Sequence, residues 1–405
     1  MLKNLKSTPA GTKDVLYPVS AVRDKLKSSL LDFYKMRGFD RTQTPVLEYY
    51  DVFDFSRANI PQQAMYKLTD KDGRLIVLRP DCTIPMARVA STRLSSSPRP
   101  LRLCYGQNIY TVNPAHSPRS NEILQIGIEI MGDTSPKRAD LESIFLAFES
   151  LKKIASQEGS QNESQKPRFR IELCHIGYFK GIMDLLDASD EEKEEIRQLV
   201  EKKSYSSLGD KLAPYKNTKV YDALMLLPRM FGGAEIIGEA RKNFINQKTD
   251  SALAYLEELY DKLKILGLED IISVDLGMVN KSDYYTGIIF KGYFDGLGEE
   301  VLSGGRYDNL TEIYGRKMSA VGFGINIDLA ASLFEPKEEK QEKILIFGED
   351  GYEAKALSYI SSFCESGVIA EYSVFSCLDD AISYARAKGF SRLMRAGKET
   401  DYIEL

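Results

Sequence analysis

Histidine and cysteine are the scarce residues in this sequence. It has two histidines in 405 residues, His116 and His175, and five cysteines, Cys82, Cys104, Cys174, Cys364 and Cys377. So few histidines leave no room for a histidine-rich metal site, and they suggest neither a Ser-His-Asp nor a Cys-His constellation. The cysteines form no C-x-x-C pair, and their scatter fits neither a disulfide framework nor a zinc site. They read as reduced thiols of a cytoplasmic chain. No apolar run is long enough for a signal peptide or a bilayer span, so no membrane is expected. Positive charge is not in excess: 54 Lys and Arg stand against 59 Asp and Glu, a net charge of -5. A protein built to grip a large nucleic acid usually carries a basic surface, and the bulk charge suggests none. There is no G-x-x-x-x-G-K-[ST] phosphate loop, and Gly322-x-Gly324 lacks the third glycine of a dinucleotide site. No cofactor and no metal are expected.

At 43% hydrophobic and 28% charged residues, the composition is that of a globular protein, and the length exceeds what one core usually supports. Val22, Leu26, Leu30 and Phe33 recur at helical spacing, with Ser20 as an N-cap and Gly38 after the end. Residues 39–47 look extended. Residues 75–78 form a short apolar strand, followed by a helix over 83–92. Residues 101–110 and 123–131 read as a long antiparallel hairpin around a connection that contains Pro114 and Pro118. A helix over 138–155, a polar loop over 156–167 and a strand over 169–174 follow. Residues 180–268 have helical periodicity and no convincing strand, which marks a helical insertion. Strands return at 272–276, 284–290 and 320–326. The organisation predicted is a large α+β domain over 1–334 with the insertion at about 180–268. A charge-dense linker over 335–343 and a small α/β domain over 344–405 complete it.

Four stretches carry candidate chemistry. Along the strand that ends at Met131, Leu124, Ile126, Ile128 and Ile130 share one face, and Gln125, Gly127 and Glu129 share the other. Gln125 and Glu129 then stand about 13 Å apart across a glycine that leaves the sheet surface bare. An amide and a carboxylate flanking a bare floor would suit a small zwitterion. Taken alone, the stretch reads as a half-exposed strand whose polar residues face water. Asp81 and Thr83, in Leu78-Arg79-Pro80-Asp81-Cys82-Thr83, could bind an amine or simply cap a helix. Tyr284 and Tyr285, in Asp283-Tyr284-Tyr285-Thr286-Gly287, offer aromatic walls or ordinary strand packing. The glycines of Gly304-Gly305-Arg306-Tyr307-Asp308 suggest tight turns.

In order along the chain, these pieces resemble the histidyl-tRNA synthetases, a family of class II aminoacyl-tRNA synthetases. Leu78 to Thr83 is similar to the family's L-R-P-E-G-T, and Gln125-Ile-Gly-Ile-Glu129 to the Q-x-G-x-E that closes motif 2. Asp283-Tyr284-Tyr285-Thr286 is similar to D-Y-Y-T. Gly304 to Asp308 and Ala320-Val321-Gly322-Phe323 are similar to G-G-R-Y-D and A-V-G-F, and residues 38–45 to motif 1. The resemblance covers roughly residues 8–333. It implies a six- or seven-stranded antiparallel sheet with flanking helices, and a dimer formed through the motif 1 face. It also implies a histidine pocket. Asp81, which replaces a glutamate, and Thr83 would meet the α-amine. Gln125 would orient the amino acid, and Glu129, Tyr285 and Tyr307 would surround the imidazole.

The ATP machinery of the family is missing. Its motif 2 arginine falls on Thr111 and the glutamate of that motif on Asn113. The arginine that contacts the reacting carboxylate falls on Asn280, beside Lys281, and the motif 3 arginine on Leu329. Losing one such donor typically costs roughly 10²–10³ in rate, so loss of three should abolish adenylate formation. This pattern resembles the non-catalytic paralogues that serve as regulatory subunits of ATP phosphoribosyltransferase, the first enzyme of histidine biosynthesis. That likeness implies a short catalytic partner, a hetero-octamer and histidine as feedback effector. Residues 344–405 are similar to a shortened anticodon-binding domain whose brevity and mixed charge speak against tRNA binding.

Overall fold

A computed structural model describes residues 6–53, 60–113, 119–157, 166–279, 285–335 and 342–405. The chain divides into two compact units, Met1–Pro336 and Lys337–Leu405. No helix among the described residues is long and apolar enough to cross a membrane. All five cysteines are free thiols.

The first unit opens with α1 (Val19–Met36), which buries Leu26, Leu30, Leu31 and Tyr34 along one stripe, as expected of a helix lying on a core. Pro18, rather than Ser20, flanks its start, where a missing N–H costs nothing. Gly38, at φ +78°, turns the chain away from its end. The extended stretch expected over 39–47 is broken into β1 (Asp40–Arg41) and β2 (Leu47–Tyr49). Pro45 has no N–H to give a ladder, and the Thr44 N–H goes instead to Gln107 Oε1 at 3.1 Å. With β3 (Lys67–Thr69) and β4 (Leu75–Leu78), β2 makes a small antiparallel sheet in the order β2-β4-β3.

Next come α2 (Thr83–Ser91), β5 (Leu101–Tyr110), β6 (Glu122–Met131), α3 (Pro136–Ala155) and β7 (Phe169–His175). The strands β5 and β6 pair along their whole length, Leu101 opposite Met131 and Tyr110 opposite Glu122. Their connection, with Pro114 and Pro118, lies outside the described residues, as does most of the polar loop after α3. The insertion runs through α4 (Ile176–Met183), α5 (Asp190–Glu201), α6 (Tyr205–Lys211) and α7 (Lys219–Leu226). A two-residue strand β8 (Phe231–Gly232) that helical periodicity hides comes next, then α8 (Glu235–Asn243) and α9 (Gln247–Ile265). The unit closes with β9 (Ile272–Asp275), β10 (Ile288–Phe294), β11 (Leu302–Arg306), β12 (Ala320–Asn326) and α10 (Ile327–Ala331).

The main sheet has nine strands in the order β1-β5-β6-β12-β11-β10-β7-β9-β8. Six of them, β5 through β7 in that order, run antiparallel; β1 joins β5, and β9 joins β7, in parallel. Two sequence expectations change here. The strand expected from residue 284 begins at Ile288, because residues 285–287 bond across the sheet end, with Thr286 N–H to the Arg306 carbonyl at 2.7 Å and Ile176 N–H to that of Gly287 at 3.0 Å. Gly304 and Gly305 are not turn residues: they sit inside β11. A Cβ on Gly304 would press on the Gly322 carbonyl and on Phe323, so that glycine serves close packing in the sheet.

The second unit carries a four-stranded sheet, β14-β13-β15-β16, made of β13 (Lys343–Gly348), α11 (Glu353–Glu365), β14 (Ile369–Tyr372), α12 (Leu378–Ala387), β15 (Arg392–Ala396) and β16 (Thr400–Glu404). Leu345, Phe347 and Leu393 form a core with α12, whereas Ile344, Ile346 and Met394 form one with α11. Burial on both faces explains the unbroken apolar run Ile344-Leu345-Ile346-Phe347.

Candidate functional site

Strand order sets β6, β12 and β11 side by side at the middle of the main sheet. Side chains alternate across a strand, so Gln125, Gly127 and Glu129 share one face with their register partners Asn326, Gly324 and Gly322 on β12. Ser303 and Gly305 of β11 continue the same rows. Over this face lies a cavity of about 140 Å³. Asp81, Thr83, Gln125, Tyr285 and Tyr307, five of the six residues singled out in the sequence, line it. The sixth, Glu129, is wholly buried behind the wall and accepts a hydrogen bond from the Tyr307 hydroxyl. Glu129 is therefore not the water-facing strand residue that its stretch suggests in isolation.

Sequence reasoning missed Tyr105 and Ser303, which also line the cavity. Tyr105 was within reach of the hairpin register, because it pairs with Gly127. Its hydroxyl and the Phe323 carbonyl occupy the space that a Cβ on Gly127 would need. The expected bare floor at Gly127 is thus covered by a tyrosine. At Gly322 a Cβ would overlap Glu129 Oε2 and the Ile128 carbonyl. Glycine there lets the carboxylate lie flat against the sheet.

The electrostatics of the cavity are one-sided. Among the described residues that line it there is no cation. Burial pushes the Glu129 carboxyl up to about 8, against the lowering pull of the Tyr307 and Thr83 hydroxyls; nearby Asp81 raises it further. Among the described residues, Glu129 Oε1 has no hydrogen-bond partner. A buried acceptor without a partner is costly to fold around. Asp81 is raised to about 6 by burial, opposed by the N–H groups of Ile84, Thr83 and Cys82; the Ile84 bond is 2.7 Å. Asp81 therefore takes the capping role its sequence allowed, through the Ile84 N–H, and also faces the cavity. What the arrangement can hold is a small ligand with more than one positive or hydrogen-donating group.

Among the described residues, cations near the cavity are committed to other partners. Arg306, 3% exposed, lies between Asp133, Asp140 and Asp308. Its bonds to Asp140, 2.8 Å from Nε, and Asp308, 2.8 Å from Nη1, fix the strand end that carries Tyr307. Tyr255 of α9 donates to Asp140 at 2.6 Å, and Lys180 of α4 donates to the Tyr285 carbonyl at 3.1 Å. Arg79 donates to the carbonyls of Thr44, Pro45 and Asn108. His175, the described histidine, N-caps α4 through Nδ1 and is lowered to about 4 by burial.

The corner where the family's nucleotide cations would stand is different. Thr111 extends the β5–β6 hairpin, its N–H 2.8 Å from the Asn121 carbonyl. Asn113 donates from its backbone and its side chain to Asn121 Oδ1, both at 3.0 Å. Leu329 sits on α10, its N–H capped by Asn326 Oδ1 at 3.0 Å. The neighbouring Asp328 is paired with Arg23 at 3.0 Å and accepts from Leu124 N–H at 2.7 Å. Asn280, Lys281 and Tyr284 lie outside the described residues.

Comparison with known proteins bears on the family and the fold. The family model for histidyl-tRNA synthetase matches residues 11–329. An ATP phosphoribosyltransferase regulatory subunit of Clostridium novyi (strain NT) is 37% identical, covering 97% of this chain and 93% of the relative. One of Bacillus cereus (strain B4264) is 35% identical, covering 98% and 94%. Among solved structures, an ATP phosphoribosyltransferase regulatory subunit/histidyl-tRNA synthetase from Bacillus halodurans C superposes with a TM-score of 0.83 at 27% identity, over 98% of this chain and 99% of that one. The histidyl-tRNA synthetase of Nostoc sp. PCC 7120 shares the fold, with a TM-score of 0.75 at 16% identity over 98% and 97%.

Proposed function

The chain belongs to the histidyl-tRNA synthetase family and, within it, to the ATP phosphoribosyltransferase regulatory subunits, and we propose that it regulates by holding histidine in the cavity around Glu129 while it activates a short catalytic partner. Its role is that of a regulatory subunit of that enzyme, not of a catalyst.

One observation carries the histidine reading: two carboxylates, Asp81 and Glu129, serve a cavity that no described cation lines. An α-ammonium has three donors and suits Asp81 with Thr83. The imidazole, held between Tyr285 and Tyr307, gives Glu129 the donor that its free oxygen lacks. Gln125, at the other end of the cavity, orients the amino acid.

In this reading the chain works in the cytoplasm, self-associates through the motif 1 face around β1, and joins catalytic subunits in a hetero-octamer. Histidine then shifts the assembly toward its less active state by binding that state more tightly. The test mixes the full chain with a short catalytic subunit. The chain alone should form no phosphoribosyl product, the mixture should be active, and histidine should inhibit it. Glu129→Gln should weaken that inhibition while leaving assembly intact. Unchanged catalytic activity on mixing, with both proteins folded, contradicts the activating role. An unchanged inhibition curve in the variant places histidine elsewhere.

A further inference from the structure

Resting on the reading of Glu129 and Asp81 as the seat of an imidazole and an amine, we infer that the cavity does not recognise the carboxylate of its ligand. It takes a carboxylate-free imidazole amine at least as tightly as the amino acid.

The inventory of groups carries the inference. The cavity wall offers the carboxylate of Asp81, five hydroxyls (Thr83, Tyr105, Tyr285, Ser303 and Tyr307) and the Gln125 amide. The Glu129 carboxylate stands behind Tyr307. An ammonium and an imidazole each find a carboxylate here. A carboxylate finds no cation among the described lining residues, and the like charge of Asp81 instead. Two described cations close by are spent. Arg306 is fully engaged with Asp133, Asp140 and Asp308, and Arg79 points three donations at backbone carbonyls. The space is also tight: about 140 Å³, floored by Gly322, where even a methyl group would strike Glu129. A ligand carboxylate has two places to go. At the mouth it stays in water and contributes little. Inside, it gives up hydration to sit in a negative field, which weakens binding. Neither outcome rewards it.

The test is calorimetric titration of the full chain at pH 7.5 with four probes: histidine, histidinol, histamine and imidazolepropionate. Histidinol and histamine should bind as tightly as histidine or tighter, by up to about tenfold. Imidazolepropionate, which keeps the carboxylate and loses the amine, should bind at least roughly 100-fold more weakly than histamine. Glu129→Gln should weaken all the binding probes together, which ties the signal to this cavity. Histidine binding more than about threefold tighter than both amines overturns the inference and leaves the histidine seat standing; below that margin the inference holds. Failure of all four probes to bind overturns the inference and the underlying seat together.

Discussion

Two regions around the main sheet treat their polar groups differently. Around Thr111, Asn113 and Leu329 most described polar atoms close on one another: Asn113 hydrogen-bonds Asn121, Asn326 caps the first turn of α10, and Asp328 is ion-paired with Arg23, whose buried Nε makes no hydrogen bond among the described residues. Around Glu129, too, one oxygen of a fully buried carboxyl has no hydrogen-bond partner among the described residues. A polar network satisfied from within needs nothing from outside. An unsatisfied buried polar group costs stability unless something arrives to pair with it. On the proposed function, the contrast is between a corner that has become ordinary protein and one still built for a ligand.

The largest effect should come from the support beneath the seat. Arg306→Met leaves Asp140 and Asp133 buried without their cation, and should cost about 3–5 kcal/mol in denaturant unfolding. A loss under about 1 kcal/mol would mean that the seat does not depend on this hub.

The seat itself should be costly in a pH-dependent way. Glu129 is raised to about 8 when folded, against an ordinary value near 4.3. A raised folded value means stability that is present below the unfolded value and lost as pH climbs through the folded one. The chain should therefore lose roughly 1.4 kcal/mol per pH unit relative to Glu129→Gln between about pH 5 and about 8. Parallel stability curves for the two proteins would refute the buried charge.

Histidine affinity should follow the same carboxylate. Below about 6.5, the ordinary value of the free imidazole, both partners arrive protonated and one proton must leave; Asp81, raised to about 6, weakens its hold on the amine in the same direction. Above about 8, the value to which Glu129 is raised, the proton that the pair shares is missing. A plateau between those limits with a fall of roughly tenfold per unit outside them is expected in titrations, and a flat profile from pH 5 to 9 would contradict it. At the closed corner the effect should be smallest: Thr111→Ala should change histidine affinity by less than about twofold and stability by under about 0.5 kcal/mol.

The six antiparallel strands were largely legible, because β5, β6 and β12 announce themselves by alternation or by apolar runs. β11 was not. Its sequence Leu302-Ser303-Gly304-Gly305-Arg306 spells a turn locally, and only the crowding between β10 and β12 shows why small residues stand there. β8 escaped for the opposite reason: two residues paired to β9 carry no period of their own. Of the site, six residues were visible through their motifs. The depth of Glu129 was not, since period 2 tells which face a residue takes and nothing about what covers that face. Tyr105, lying over Gly127, is what covers part of it.

The most direct test is thermal unfolding of the full chain with histidine and, separately, with magnesium ATP, each over a wide concentration range. A ligand at 100 times its dissociation constant adds about 2.7 kcal/mol to folding. The account predicts a concentration-dependent rise in Tm with histidine and none with ATP. A rise with ATP and none with histidine would contradict it.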